Sequence, residues 1–209
     1  MESFSEDFQT QLRNLMAWRR DVRRFRTDPV DEAVLIRCLD AFRLAPSVGL
    51  SEPWRVIRVS SDAARSAALE NYRTANAAAL AGYSGAQAEK YSQLKLSGMV
   101  EAPEHIAVFC DDSTAQGHGL GAGTMPEMRR YSVVGAINLM WLTARAQGLG
   151  MGWVSILDPA QLTRDLDVPE GWHLVAYLCV GWPEAYSETP ELEVKGWDQR
   201  RPDLIVERR

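Results

Sequence analysis

Tyr131-Ser132-Val133-Val134-Gly135-Ala136-Ile137-Asn138-Leu139-Met140-Trp141-Leu142-Thr143-Ala144 is the longest apolar uncharged run in the chain, and its reading decides the fold. A membrane-spanning helix needs about 20 apolar residues, so this run, with Asn138 inside it, is too short. Upstream, Thr124-Met125-Pro126-Glu127 has the spacing of a capping box, with Thr124 as N-cap and Glu127 reaching back. Downstream, Gly148 is placed to end the helix in a left-handed turn. The prediction is one helix from Thr124 to Gln147, apolar almost all round. Such a helix must be buried, at the centre of the fold or against a second subunit.

Outward from that helix the pattern alternates. Gly152–Leu157 and His173–Val180 read as strands, and between them Asp158-Pro159-Ala160-Gln161 combines an N-cap with proline at the first helical position. On the other side, His105–Cys110 is a short apolar run that predicts a buried strand, and Trp54–Val59 predicts another. Phe8, Leu12, Leu15 and Met16 fall at helical spacing behind Ser5-Glu6-Asp7, and a second helix starts near Asp31 and stops before Pro46. Asp62–Leu96 is helical but poor in large side chains, which suits either a mobile lid or a surface hairpin. The order ααβααβαβαβ predicts one α+β domain over residues 1–209, a mixed or antiparallel sheet flanked by helices. Residues 184–209 form a polar C-terminal extension, lying on a surface or reaching to a partner.

Composition narrows the function. The chain has 209 residues with 23 Lys+Arg against 28 Asp+Glu, a net charge of −5. That balance weighs against nucleic acid as a partner. Cys38, Cys110 and Cys179 are widely spaced, without a C-x-x-C, so neither a disulfide framework nor a cysteine zinc site is expected. The acidic start, Met1-Glu2-Ser3-Phe4-Ser5-Glu6, is not a signal peptide, and a cytoplasmic protein with no membrane partner is expected. No G-x-S-x-G or H-E-x-x-H occurs, and His105, His118 and His173 lie in separate segments, so no metal site is expected. Gly117-His118-Gly119-Leu120-Gly121-Ala122-Gly123 contains G-x-G-x-x-A but does not open a helix, and no acidic residue stands where a ribose would need one. It reads as a flexible or substrate-facing loop.

Inside this acidic chain, Arg19 to Arg26 holds five arginines and one aspartate. Several guanidinium groups at one helix end make a forked site for a phosphate; the alternative is a solvated basic helix end paired with nearby acids. The order Arg19–Phe25, Ala45-Pro46-Ser47, Glu52-Pro53-Trp54, Gly148–Trp153 and Val180-Gly181-Trp182-Pro183 resembles the flavin-dependent nitroreductases over nearly the whole chain. The resemblance implies a homodimer with FMN sites shared between subunits. It implies that Arg19, Arg20, Asp21, Val22 and Arg23 lie at the FMN phosphate and ribityl chain. Ser47, Gly49, Leu50 and Ile156 would line the ring, and Arg200 or Arg201 would complete the phosphate site.

Three departures from the general family pattern point to a subgroup. Asp21 stands where a serine usually follows the arginine pair. The Pro46-Ser47-Val48-Gly49-Leu50-Ser51-Glu52-Pro53-Trp54 segment lacks the usual Asn and Gln. Gly119–Met128 has no general counterpart. All three, with Gly152-Trp153-Val154-Ser155, are similar to the subgroup that makes 5,6-dimethylbenzimidazole, the lower ligand of vitamin B12. The implied chemistry consumes reduced FMN as substrate together with dioxygen, and releases erythrose 4-phosphate. A flavin reductase must then supply reduced FMN. Removing a ribityl hydrogen requires a base beside the sugar chain, and a carboxylate at Asp21, kept ionised by its arginine neighbours, suits that role. Ser155 matches the subgroup's second functional residue. At Gly49 a missing side chain would let the main chain and dioxygen approach the ring, and the 62–96 lid would exclude water. The alternatives are an NAD(P)H-dependent nitroreductase or flavin reductase, and a non-catalytic carrier of reduced flavin.

Overall fold

The computed structural model describes residues 3–209. Helix α1 (Glu6–Trp18) is capped by the Ser5 side chain, which accepts from the Phe8 amide, and α2 (Glu32–Asp40) by Asp31, which accepts from Ala33 and Val34. Each such cap satisfies amides that the helix cannot, a contribution of about 1 kcal/mol. Strand β1 (Trp54–Arg58) follows, then α3 (Asp62–Ala81), α4 (Gly85–Ser92), β2 (Glu104–Asp111), α5 (Met128–Ala146), β3 (Gly150–Val154), α6 (Pro159–Asp165), β4 (Trp172–Gly181) and a short α7 (Glu191–Val194).

The four strands form one antiparallel sheet in the order β1-β2-β4-β3. Both faces are covered. Ile106, Val108 and Cys110 pack under α2 and α5, while Ala107 and Phe109 pack under α3 and α6. Burial on both faces is why this strand reads as a continuous apolar run rather than an alternating one. His105, 1 % exposed, belongs to the interior, its ring Nδ1 2.8 Å from the Tyr177 hydroxyl. Burial drives the imidazole pKa down to about 4. All three cysteines are free and buried.

Two expectations need correction. Thr124 does not cap α5. Gly121 to Met128 is spent in successive turns (Met125 amide to Gly121 carbonyl 3.0 Å, Met128 amide to Met125 carbonyl 3.1 Å), and the helix begins at Met128, with Glu127 as a cap without a side-chain bond. The strand expected at 152–157 runs from Gly150 to Val154 instead, leaving Ser155, Ile156 and Leu157 to turn the chain toward α6. The helix ending is as expected. Gly148 has φ +83, and the Leu149 and Gly148 amides bond the Ala144 and Arg145 carbonyls at 2.9 and 3.0 Å.

The burial of α5 is one-sided. Val133, Ala136, Ile137, Met140 and Ala144 are fully buried, whereas Tyr131, Gly135 and Asn138 face outward. Helix α1 buries no residue, and its Phe8, Leu12 and Met16 are 43 %, 40 % and 48 % exposed. The stretch 62–96 is also divided. The first half of α3 is fastened, with Ala68 in the core and Asn71 bonded twice to the Asp158 main chain at 2.8 and 2.9 Å. Beyond it, only Tyr91 of α4 is buried. Among the described residues no helix is long and apolar enough to cross a membrane.

Candidate active site

After α1 the chain runs extended across the edge of the sheet, and two features hold it there. Phe25, 1 % exposed, plugs into the core against Gly98 and Gly181, positions where a β-carbon would lie 2.3 and 3.3 Å from its ring. Burying a ring this fully contributes about 1.5–3 kcal/mol. Asp21 and Val22 then lie against β3, with the Val22 amide donating to the Met151 carbonyl at 2.8 Å. The contact is possible because β3 reads Gly150-Met151-Gly152. A β-carbon at Gly152 would stand 2.1 Å from the Val22 carbonyl oxygen, and one at Gly150 would stand 2.7 Å from the Val22 side chain.

This approach fixes the Asp21 carboxylate. Its Oδ1 accepts the Trp153 amide at 2.8 Å, and its Oδ2 accepts Arg23 Nε at 2.9 Å. Arg23 reaches on to the Lys95 carbonyl at 3.3 Å. Arg20 is held by main-chain oxygens, donating to the carbonyls of Glu188 and Arg19, and Arg19 lies 4.8 Å over the Trp141 ring. A cavity of about 150 Å³ is lined by Arg19, Arg20, Asp21, Arg23, Glu191, Leu192 and Arg200. Burial and then the charges of Arg200 and Arg19 lower the Arg20 pKa. Guanidinium groups crowded together, two of them anchored by carbonyls and a ring instead of carboxylates, are an arrangement that an anion relieves. The residues present therefore fit a phosphate, with the carboxylates of Asp21 and Glu191 beside it.

The structure brings Arg19, Arg20, Asp21, Val22, Arg23 and Arg200 together. Arg201 is exposed and outside that lining. Ser155 is exposed just past β3, two residues from the amide that holds Asp21, and the half-buried Ile156 follows it. Ser47, Gly49 and Leu50 are elsewhere. They lead into β1, at the opposite edge of the sheet from β3, about 14 Å away at the usual strand spacing. Within that loop the Ser47 hydroxyl accepts the Glu52 amide at 3.1 Å, and Gly49, Leu50 and Glu52 all have positive φ. A β-carbon at Gly49 would meet the Leu120 carbonyl at 2.7 Å, so the neighbouring Gly117–Leu120 loop also requires glycine there.

Four contributors have no sequence signature: the Trp153 amide, the Glu188 carbonyl, Glu191 and the Trp141 ring. The first two are main-chain groups, and the last two come from remote segments. The one usable signal was the paired glycines 150 and 152, which mark a close backbone approach.

Comparison with known proteins identifies the family. The nitroreductase family model matches residues 16–182. The chain is 53 % identical to the 5,6-dimethylbenzimidazole synthase of Rhodospirillum rubrum, over 98 % of this chain and 97 % of that one. It is 47 % identical to the 5,6-dimethylbenzimidazole synthase of Rhodobacter capsulatus, over 96 % and 97 %. Among solved structures, oxidized iodotyrosine deiodinase bound to FMN and 3-iodo-L-tyrosine superposes with a TM-score of 0.74 at 22 % identity, over 94 % of this chain and 97 % of that one. The chain belongs to the nitroreductase family, in the branch of the 5,6-dimethylbenzimidazole synthases.

Proposed function

We propose that this protein is a 5,6-dimethylbenzimidazole synthase that takes reduced FMN and dioxygen as substrates and releases erythrose 4-phosphate. The observation that carries the reading is the Asp21 carboxylate, fixed at both oxygens inside a cleft of arginines. When bound, reduced FMN supplies the carbon framework of the product and the electrons that dioxygen takes up. Arg19, Arg20 and Arg200 bind and orient its phosphate. Arg23 is shared between that phosphate and Asp21, and so sets the distance between them. Each Asp21 oxygen keeps a lone pair beyond its one protein hydrogen bond, and can take a proton from the ribityl chain. Ser155, exposed at the end of β3, offers a hydroxyl to the ring or to oxygen. A simple hydride-transfer site has no use for a carboxylate beside the sugar, which favours this reading over a nitroreductase or a carrier.

A second copy of the chain supports the site. The uncovered faces of α1 and α5 provide the apolar surface for pairing, and pairing brings Ser47, Gly49 and Leu50 of one copy to the ring held by the other. The outer part of 62–96 serves as the lid that excludes water, and a separate flavin reductase provides reduced FMN.

The test is to mix the purified protein anaerobically with reduced FMN, admit air and analyse the small molecules. Dimethylbenzimidazole is expected; return of oxidised FMN alone refutes the reading. Asp21→Asn is expected to bind reduced FMN and form little product, and full product from that variant removes Asp21 from the chemistry.

A further inference from the structure

The segment that walls the arginine cleft is held from two sides. On the inner side, Arg20 bonds the Glu188 carbonyl and Arg24 approaches Glu191 at 3.5 Å. On the outer side lies an aromatic clasp with no assigned part in the reaction. The turn that closes α7 passes through Gly196, φ +68, with the Trp197 amide donating to the Leu192 carbonyl at 2.9 Å and the Gly196 amide to the Glu193 carbonyl at 3.0 Å. A side chain at Gly196 would meet nothing within 4 Å, so the backbone turn and not the space demands glycine. The turn delivers Trp197 onto Tyr83 and Tyr91, with ring centroids 5.6 and 6.1 Å away, and the two tyrosines are 4.9 Å apart. Lys90 closes the clasp by donating to the Gly196 carbonyl at 3.0 Å.

Three residues beyond Trp197 stands Arg200, in the lining with Arg19, Arg20 and Asp21. The rest of the lining sets the three arginines 19, 20 and 23 against the two carboxylates Asp21 and Glu191, so the cleft itself exerts no net attraction on a further guanidinium. Downstream no hold on Arg200 is seen among the described residues. Residues 201–209 are exposed throughout, and the hydrogen bonds there are local, such as Arg209 to Glu207. Its tether is therefore upstream, at the clasp. Three residues of extended chain reach about 10 Å, so freeing Trp197 releases Arg200 from the cleft altogether.

We propose that Trp197, docked on Tyr83 and Tyr91, is the positioning residue that holds Arg200 in the anion cleft and ties phosphate recognition to α4 and the turn that joins it to α3. The proposal rests on the reading of the cleft as the FMN phosphate site. It makes the closure of α4 and the capture of phosphate one event: displacing either end of the clasp loosens the other.

The test uses the full chain and two probes that differ by the phosphate alone, FMN and riboflavin, titrated by flavin fluorescence against the parent, Trp197→Ala, Trp197→Phe, Arg200→Ala and the double variant. Trp197→Ala is expected to weaken FMN about tenfold, the worth of one charged hydrogen bond, and to leave riboflavin unchanged. Trp197→Phe, which keeps a ring in the clasp, should recover most of the loss. The double variant should be no weaker than Arg200→Ala, because both changes remove the same contact. Equal weakening of FMN and riboflavin by Trp197→Ala, or losses that multiply in the double variant, overturns the positioning role. A parent protein that does not distinguish FMN from riboflavin overturns the phosphate site itself, a separate result visible before any variant is made.

Discussion

Gly152→Ala puts the position of Asp21 under direct strain. The added β-carbon would lie 2.1 Å from the Val22 carbonyl oxygen, where a close carbon–oxygen contact needs about 3.3 Å. The Asp21–Val22 segment must therefore move off β3 by about 1.2 Å. Two hydrogen bonds now at 2.8 Å, Val22 amide to Met151 carbonyl and Trp153 amide to Asp21, then stretch to about 4 Å and are lost. One is a neutral bond worth about 1 kcal/mol and the other is charge-assisted, worth about 1.5–3 kcal/mol, so stability should fall by about 2.5–4 kcal/mol. A base displaced by about 1 Å should also cost on the order of 100-fold in rate. Urea unfolding measures the first effect. The second is measured by single-turnover formation of dimethylbenzimidazole, with reduced FMN loaded anaerobically and oxygen added well below the melting temperature. A folded Gly152→Ala protein with parental stability and parental yield would refute both the packing argument and the role of Asp21.

Three further expectations follow from the same geometry. Arg200→Ala should weaken FMN binding about tenfold, and Arg201→Ala should stay within about twofold of the parent; flavin titration separates them, and the reverse order would exchange their assignments. His105 has its pKa near 4 in the folded chain against 6.5 unfolded, so the unfolded form binds more protons between those values. The stability that this difference supports is complete above about pH 6.5 and falls by about 3 kcal/mol as the pH drops to 4. Urea midpoints across that window should show the slope, and His105→Gln should flatten it; an unchanged slope in the variant clears His105. Leu12→Glu with Met16→Glu should shift the sedimenting mass to that of one chain and weaken flavin binding, whereas an unaltered mass would place the pairing surface elsewhere.

Local chemistry made much of this legible. Ser5, Asp31 and Asp158 cap the helices they precede because short oxygen-bearing side chains satisfy the first free amides, a signal that needs no tertiary knowledge. The capping box at Thr124 failed because the glycines at 117, 119 and 121 keep the chain turning until Met128, so the threonine is still in the loop. The register of β3 failed for an instructive reason. The expected strand opened only at Gly152, yet Gly150 and Met151 belong to it too, and both glycines leave room where Val22 crosses the strand. The arginine cluster was plain in sequence, as was the carboxylate within it. What was hidden is the remote support: carbonyls, an indole ring and the 188–197 segment, which meet the cluster only once the sheet has formed. The separation of Ser47–Leu50 from Asp21 was equally hidden, since strand order is not written in any local pattern.

The three buried cysteines acquire a meaning beside this chemistry. Burial raises the Cys38 thiol and pushes Cys110 and Cys179 up to about 12, so almost no thiolate exists at neutral pH. Thiolate is the form that oxidants attack, and access limits the rest. The proposed reaction, in which reduced flavin meets oxygen, would expose the protein to stray peroxide. Its sulfhydryls are kept where such an oxidant neither reaches them nor finds them reactive.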